Sequence, residues 1–133
     1  MSERKTLILS DSTCDLSPED VKNRDIRIIP LTVVLGDEKH RDSIDIKPDD
    51  IYNYFKTTGQ LAKTTAANIE EHTEFIKENV PEGKEAVYFS IGSDFSATFN
   101  NSRIAAEEFE NVYVINSRNL STGIGLQVLY AAD

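Results

Sequence analysis

A single cysteine, Cys14, is all that the 133 residues contain, which excludes an internal disulfide and any metal site built from several thiolates. A lone thiol suits a reducing compartment, so a cytoplasmic location is expected. Basic residues are scarce too: 14 Lys and Arg stand against 23 Asp and Glu, for a net charge of −9. That balance works against nucleic acid and anionic lipid surfaces, and leaves small molecules or proteins as partners. Long apolar runs are missing. The longest, such as "IIPLTVVL", fall far short of a bilayer span, and the opening "MSERKTLILS" lacks an apolar core followed by a small-residue cleavage site, so no membrane span is expected. Histidines number only two, His40 and His72. They read as a loop surface residue and a helix-face residue, which is thin material for a Ser-His-Asp triad.

What is present is an ordinary globular composition, 39% hydrophobic and 28% charged, in a length that fits one domain, residues 1–133. "KTLILS" (5–10) reads as a buried strand opening into the polar turn "DSTCD". Ser17 is placed to cap a short helix, with Pro18 at its first position and Asp20 completing a capping box. "IRIIPLTVVL" (26–35) is strand-like, bent or placed on an edge by Pro30, and Gly36-Asp37 ends it in a turn. Ile51, Tyr54 and Phe55 share one helical face over 48–57. Ile69, Thr73, Ile76 and Val80 mark a second helix that Asn68 can cap, with "LAKTTAAN" between the two as a polar loop. "EAVYFSI" is the next strand. The stripe Phe95, Phe99, Ser102, Ala106 and Phe109 follows as a helix, then the strand "NVYVIN", then an apolar helix with Ser121 at its N-cap. This order is that of an α/β domain with a mainly parallel sheet flanked by helices in Rossmann-like layers. The last helix is so apolar that it expects cover on several sides, and the chain reads as the front part of a longer protein, or as one that buries this end against another subunit.

In parallel α/β sheets ligands bind beyond the carboxyl ends of the strands. The loops there are "SDSTCD", "SIGSDFS" and "NSRNLS". They are rich in hydroxyls and poor in groups suited to acid–base work. Hydroxyls beside a helix N-terminus fit an oxyanion such as a carboxylate or a phosphate. Plainer roles compete: Ser96 is also a good N-cap, Cys14 a small buried hydrophobe, and Asp11 and Asp15 the makers of turns rather than metal ligands. "GIG" at 123–125 lacks the spacing of a dinucleotide fingerprint, and no cofactor is expected. Three functions remain open on these residues. One is a carboxylate-binding carrier, another a serine-dependent hydrolase or phosphotransfer enzyme using Ser93 or Ser12, and the third a scaffold whose hydroxyls only cap helices.

Five short motifs in order resemble the DegV family. "DSTCDL" (11–16) is similar to D-S-T-x-D-L, and "IPLTVVLGDEKHRDSIDI" to an I-P-L strand followed by D-x-x-D-I at Asp42, Asp45 and Ile46. "KTTAAN" lies where the family has T-S-Q-P-S, "SIGSDFSATFNNS" resembles S-I-S-S-x-L-S-G-T-Y-Q-S, and "NSRNLSTGIG" resembles D-S-x-x-x-S-x-G-x-G. Departures are Ala66-Ala67 for Gln-Pro, Gly92 for a Ser, Ala97 for a Gly and Asn116 for an Asp. The resemblance covers the whole chain and about the first half of a family member. It implies a non-enzymatic carrier that holds a long-chain fatty acid in an apolar tunnel and presents it to a separate fatty-acid kinase subunit, which makes the acyl phosphate. It also implies that Thr64 and Ser93 fix the carboxylate, with Thr65, Ser96 and Thr98 next to them, and that no metal takes part.

Overall fold

A computed structural model describes residues 6–133. The first strand, β1 (Thr6–Asp11), enters a 3-10 turn at Ser12–Cys14, and α1 (Pro18–Asn23) follows. As its sequence indicates, Ser17 caps α1: its hydroxyl oxygen accepts the Asp20 N–H at 3.1 Å, and Pro18 opens the helix. The Ser17 hydroxyl donates in turn to the Asp20 carboxylate. Lys5, the first residue of the expected strand, lies outside the described residues.

The segment 26–35 forms two strands rather than one bent strand. β2 (Ile26–Ile29) lies beside β1, whereas β3 (Thr32–Leu35) joins a different sheet, and Pro30 stands between them. Proline lacks the N–H a ladder needs, so the chain changes partner there. Beyond the turn at Gly36, whose φ of +64° is one that glycine tolerates, an unexpected strand β4 (Glu38–Arg41) pairs antiparallel with β3. His40 therefore sits half-buried on a strand and not in a loop. After α2 (Pro48–Thr58), the expected polar loop contains β5 (Lys63–Thr65), which pairs with the other edge of β3. Next comes α3 (Ile69–Asn79), closed at its start by a full capping box in which the Asn68 and Glu71 side chains accept each other's backbone N–H at 2.8 Å. β6 (Glu85–Ser90), α4 (Thr98–Ala106), β7 (Val112–Asn116) and α5 (Thr122–Ala132) complete the chain. Phe95 and Phe109 flank α4 instead of belonging to it.

The main sheet is parallel throughout, in the order β2-β1-β6-β7. Alternate β1 residues face opposite layers. Leu7 and Leu9 pack with Ile76 of α3 and Ala105 of α4, while Ile8 packs with Ile124 and Val128 of α5. Cover on α5 is one-sided, since Leu126 and Tyr130 remain 69% and 89% exposed. Close approach of this helix needs its glycines: a Cβ on Gly125 would lie 2.7 Å from the Cys14 carbonyl oxygen and 3.1 Å from Leu16 Cδ2. The "GIG" run is thus a packing device. Gly125→Ala is expected to cost about 1–3 kcal/mol through overpacking, against no more than about 0.5 kcal/mol for exposed Leu126→Ala, read from urea denaturation midpoints.

From β1 the chain moves outward to β2, then returns through the small sheet and α3 to place β6 on the other side of β1. The order reverses between β1 and β6, so the loops leaving their carboxyl ends diverge and leave a crevice. The excursion through β3, β4, β5 and α2 supplies its other wall.

Candidate functional site: a hydroxyl-lined cleft at the strand ends

Asp11 closes the floor of the crevice. Its Oδ2 accepts the Ile91 N–H at 2.9 Å, across from β1 to β6, and its Oδ1 accepts the Thr13 N–H at 2.9 Å together with the Thr13 hydroxyl. The carboxyl is fully buried. Burial pushes its pKa above the usual 3.8, with the Thr13 and Ile91 hydrogen bonds and nearby His72 pulling the other way. Asp11 thus acts as a turn-builder, tying the two diverging loops. His72 lies on a face of α3, as expected, and that face is the one turned to the core: it is buried, with Nδ1 2.9 Å from the Asn68 carbonyl oxygen and Nε2 3.3 Å from the Tyr88 hydroxyl. A carbonyl only accepts, so Nδ1 carries the proton and Nε2 takes the tyrosine's. Burial lowers the His72 pKa and holds the ring neutral.

Over this floor lies a cleft of about 610 Å³, within the usual range of small-molecule sites. Leu31, Val33, Ile51, Ile91, Phe95 and Leu120 give it an apolar wall; Thr64 and Ser96 bring hydroxyls, and Thr13, Asp15 and Asp42 the remaining polar groups. Among the described lining residues none is Lys, Arg or His.

The five sequence-nominated residues take different places. Thr64 pairs with Val33 across the ladder, and both line the cleft. Thr65 pairs with Thr32 and, by strand alternation, points to the opposite face. The stretch following β5 is held by Asn101 of α4, whose Nδ2 donates to the Ala67 carbonyl at 3.0 Å. Ser96 lines the cleft but is not the N-cap of α4, a position held by Ala97; from one residue earlier its Oγ accepts the Thr98 N–H at 3.1 Å and lies 2.9 Å from the Thr98 hydroxyl. Thr98 is wholly buried behind it. Either hydroxyl of this pair can be the donor, and when Thr98 donates, Ser96 has its own proton for the cleft. Ser93 is exposed on the turn that precedes Ser96 and is not part of the cleft lining.

Asn116, at the end of β7, fixes Ser93. Its Oδ1 accepts the Ser93 N–H at 3.2 Å and the Arg118 N–H at 3.0 Å, so its Nδ2 faces the Ser93 Oγ and donates at 2.8 Å. Ser93 accepts from Asn116 and therefore also keeps its proton to donate. Ser121 stands at the N-cap of α5, as expected, but its side chain makes no capping bond: at φ 56° its hydroxyl donates instead to Asp15 Oδ2 at 2.6 Å. Sequence reading missed Asp15, Asp42, Phe95 and Leu120 as cleft residues, although both aspartates lie in quoted motifs.

A family model described as "Uncharacterised protein, DegV family" matches residues 5–133. The chain belongs to the DegV family. A DegV domain-containing protein of Clostridium perfringens is 33% identical over 130 residues, covering 96% of this chain and 47% of the relative. Among solved structures, a fatty-acid-binding DegV family protein from Thermus thermophilus superposes with a TM-score of 0.89 at 26% identity, over 97% of this chain and 46% of the other. A stearic-acid-binding protein from Eubacterium ventriosum gives 0.84 at 30% identity, over 94% and 45%. The chain spans a little under half the length of these DegV relatives. The α/β fold with a parallel sheet flanked by helices is the DegV fold.

Proposed function

We propose that this domain is the carboxylate-holding, N-terminal part of a longer fatty-acid-binding protein that does no chemistry itself. In this reading it presents a long-chain fatty acid to a separate kinase subunit, which transfers a phosphoryl group to the carboxyl. The observation that carries the reading is the pairing, in one cleft, of an apolar wall with the hydroxyls of Thr64 and Ser96, beside that of Thr13, which is spent on Asp11, and with no cation among the described lining residues. An acyl tail contributes about 0.8 kcal/mol per buried methylene, so a few neutral donors suffice to orient the head. Ser93, exposed on the turn before Ser96 and with its proton free, is proposed as a further donor from outside the lining. Because hydroxyls leave the carboxylate's charge largely uncompensated, its oxygen remains nucleophilic toward a phosphoryl donor. Support also comes from relatives of similar fold that bind fatty acid or stearic acid.

Such a carrier works in the cytoplasm, where the Cys14 thiol stays reduced. Among the described residues no helix is long and apolar enough to cross a membrane. Against a serine hydrolase stands the placing of the histidines: His72 is buried against Tyr88 and held neutral, and His40 lies on β4, and neither lines the cleft.

Calorimetric titration of palmitate into the complete protein tests the reading. Saturable binding with one acid per protein is expected, followed by acyl-phosphate formation once the kinase and ATP are added; no saturation would remove the carrier role. Asn116→Asp is a finer check. A carboxylate at 116 accepts the Ser93 O–H, withdrawing that donor and placing a charge nearby. Palmitate affinity is expected to drop about tenfold, the worth of roughly one hydrogen bond, with the folding midpoint little changed.

A further inference from the structure

Positive charge is scarce where the cleft opens. Among the described residues the loops that leave β1, β6 and β7, at 12–17, 91–97 and 117–121, hold one basic side chain, Arg118, against Asp15 and Asp94. Arg118 also stands apart from the other described arginines. Arg24, Arg27, Arg41 and Arg103 each pair with a carboxylate at 2.7–3.2 Å, whereas the exposed Arg118 guanidinium pairs with nothing among the described residues. Its backbone is fixed all the same. At φ +53° it takes a conformation that residues with a β-carbon rarely adopt, and the Asn116 Oδ1 that accepts its N–H at 3.0 Å also accepts that of Ser93 at 3.2 Å. A second tie, from the Gly92 N–H to the Asn119 carbonyl at 2.9 Å, joins the same two loops, which bring Phe95 and Leu120 to the cleft wall. Arg118 is therefore held at the mouth, next to Ser93 and outside the lining.

Resting on the fatty-acid reading above, we propose that Arg118 is the capture point for an arriving fatty-acid carboxylate, which it passes inward by way of Ser93 to Thr64 and Ser96. The need for such a point follows from charge. An anion approaching a chain of net charge −9 is repelled, and Asp15 and Asp42 in the cleft repel it again. The acyl tail gives no help at a distance, since burial acts only on contact. One uncompensated guanidinium at the entrance offsets this locally: at about 4 Å in water a unit charge of opposite sign is worth about fivefold in occupancy. Water and salt keep such a contact weak, so the acid is not retained there. Because Arg118 does not line the cleft, its guanidinium meets the carboxylate on the way in and on the way out and not in the bound state. An interaction made at the barrier and at neither end changes both rates by one factor and leaves the affinity as it was.

Stopped-flow fluorescence of cis-parinaric acid, a fluorescent long-chain acid, with the complete protein tests the capture role. At low ionic strength Arg118→Gln is expected to slow association and release alike by about fivefold with Kd unchanged. Arg118→Glu is expected to slow both further, and Arg118→Lys, which keeps the charge, to restore both rates. In about 1 M salt, where the Debye length is about 3 Å, these differences are expected to vanish. The methyl ester, which carries no charge, is expected to enter the unaltered protein and Arg118→Gln at equal rates. Rates equal to those of the unaltered protein in both Arg118→Gln and Arg118→Glu at low salt would overturn the capture role while leaving the fatty-acid reading intact. So would weaker binding through faster release with association unchanged, which puts Arg118 on the bound head, and so would a slowing that is the same at low and high salt, which marks a structural role. Absence of binding by the unaltered protein would overturn both.

Discussion

Asp11→Ala is expected to lower the free energy of unfolding by about 3 kcal/mol or more, a large part of the stability of a domain this size. The loss follows from what the carboxylate holds. Ile91 N–H and Thr13 N–H both end on it, and Ile91 is buried. Alanine leaves these donors without their acceptor, at about 1–3 kcal/mol for each buried one, and unties the loops that form the crevice. Asp11→Asn is milder, because one amide oxygen still accepts while the NH₂ group faces a donor. The two variants also separate hydrogen bonding from charge. Because the folded-state carboxyl titrates above 3.8, the native state holds more protons than the unfolded one in the interval above that value. Stability from this group is full below 3.8 and falls as pH rises through the raised value. His72 runs the opposite way: its lowered pKa makes stability fall as pH drops below 6.5. Subtracting the pH profile of Asp11→Asn from that of the unaltered protein, by urea denaturation at each pH, isolates the Asp11 slope.

The second large effect concerns the ligand. Thr64→Val with Ser96→Ala is expected to weaken palmitate binding at least a hundredfold, since each hydrogen bond to a charged acceptor contributes about 1.5–3 kcal/mol. Valine preserves the shape of threonine, so the first substitution removes only the hydroxyl. The second also removes the acceptor of the Thr98 N–H and leaves the buried Thr98 hydroxyl without Ser96, at a cost of about 1 kcal/mol in stability. Two controls keep binding and folding apart. Ser96→Thr retains an oxygen at the cap and is expected to restore most of the affinity. Methyl palmitate, whose head carries no charge, is expected to lose far less than the acid in the double variant.

Local signals were legible in the sequence wherever neighbours in the chain decide the structure. Ser17-Pro18 and Asn68 with Glu71 form the caps their types imply, and the apolar runs of β1, β6 and β7 form the central sheet. What was hidden depends on partners distant in sequence. β5 is three residues, Lys63–Thr65, with no apolar member, and is a strand only because β3 offers its free edge. β4 is likewise polar. His72 was read only as a helix-face residue, although the signal for its burial existed: it lies three residues after Ile69 and four before Ile76, on the stripe that faces the core. Within the site, hydroxyl-rich strand ends were readable as a group. Which of Thr64 and Thr65 faces the cleft was not, because one residue of register decides it. Nor did the chain reveal that Ser96 faces the cleft while Ser93 is held by Asn116 outside its lining, a consequence of the turn at 92–95 and of its packing on the loop after β7.

A crystal structure of the complete protein with palmitate tests the central assignment most directly. The expected result is a carboxylate oxygen within hydrogen-bond reach, about 2.6–3.0 Å, of both Thr64 Oγ1 and Ser96 Oγ, with the chain running along Leu31 and Val33. A carboxylate bound elsewhere, with both hydroxyls left to water, would contradict it.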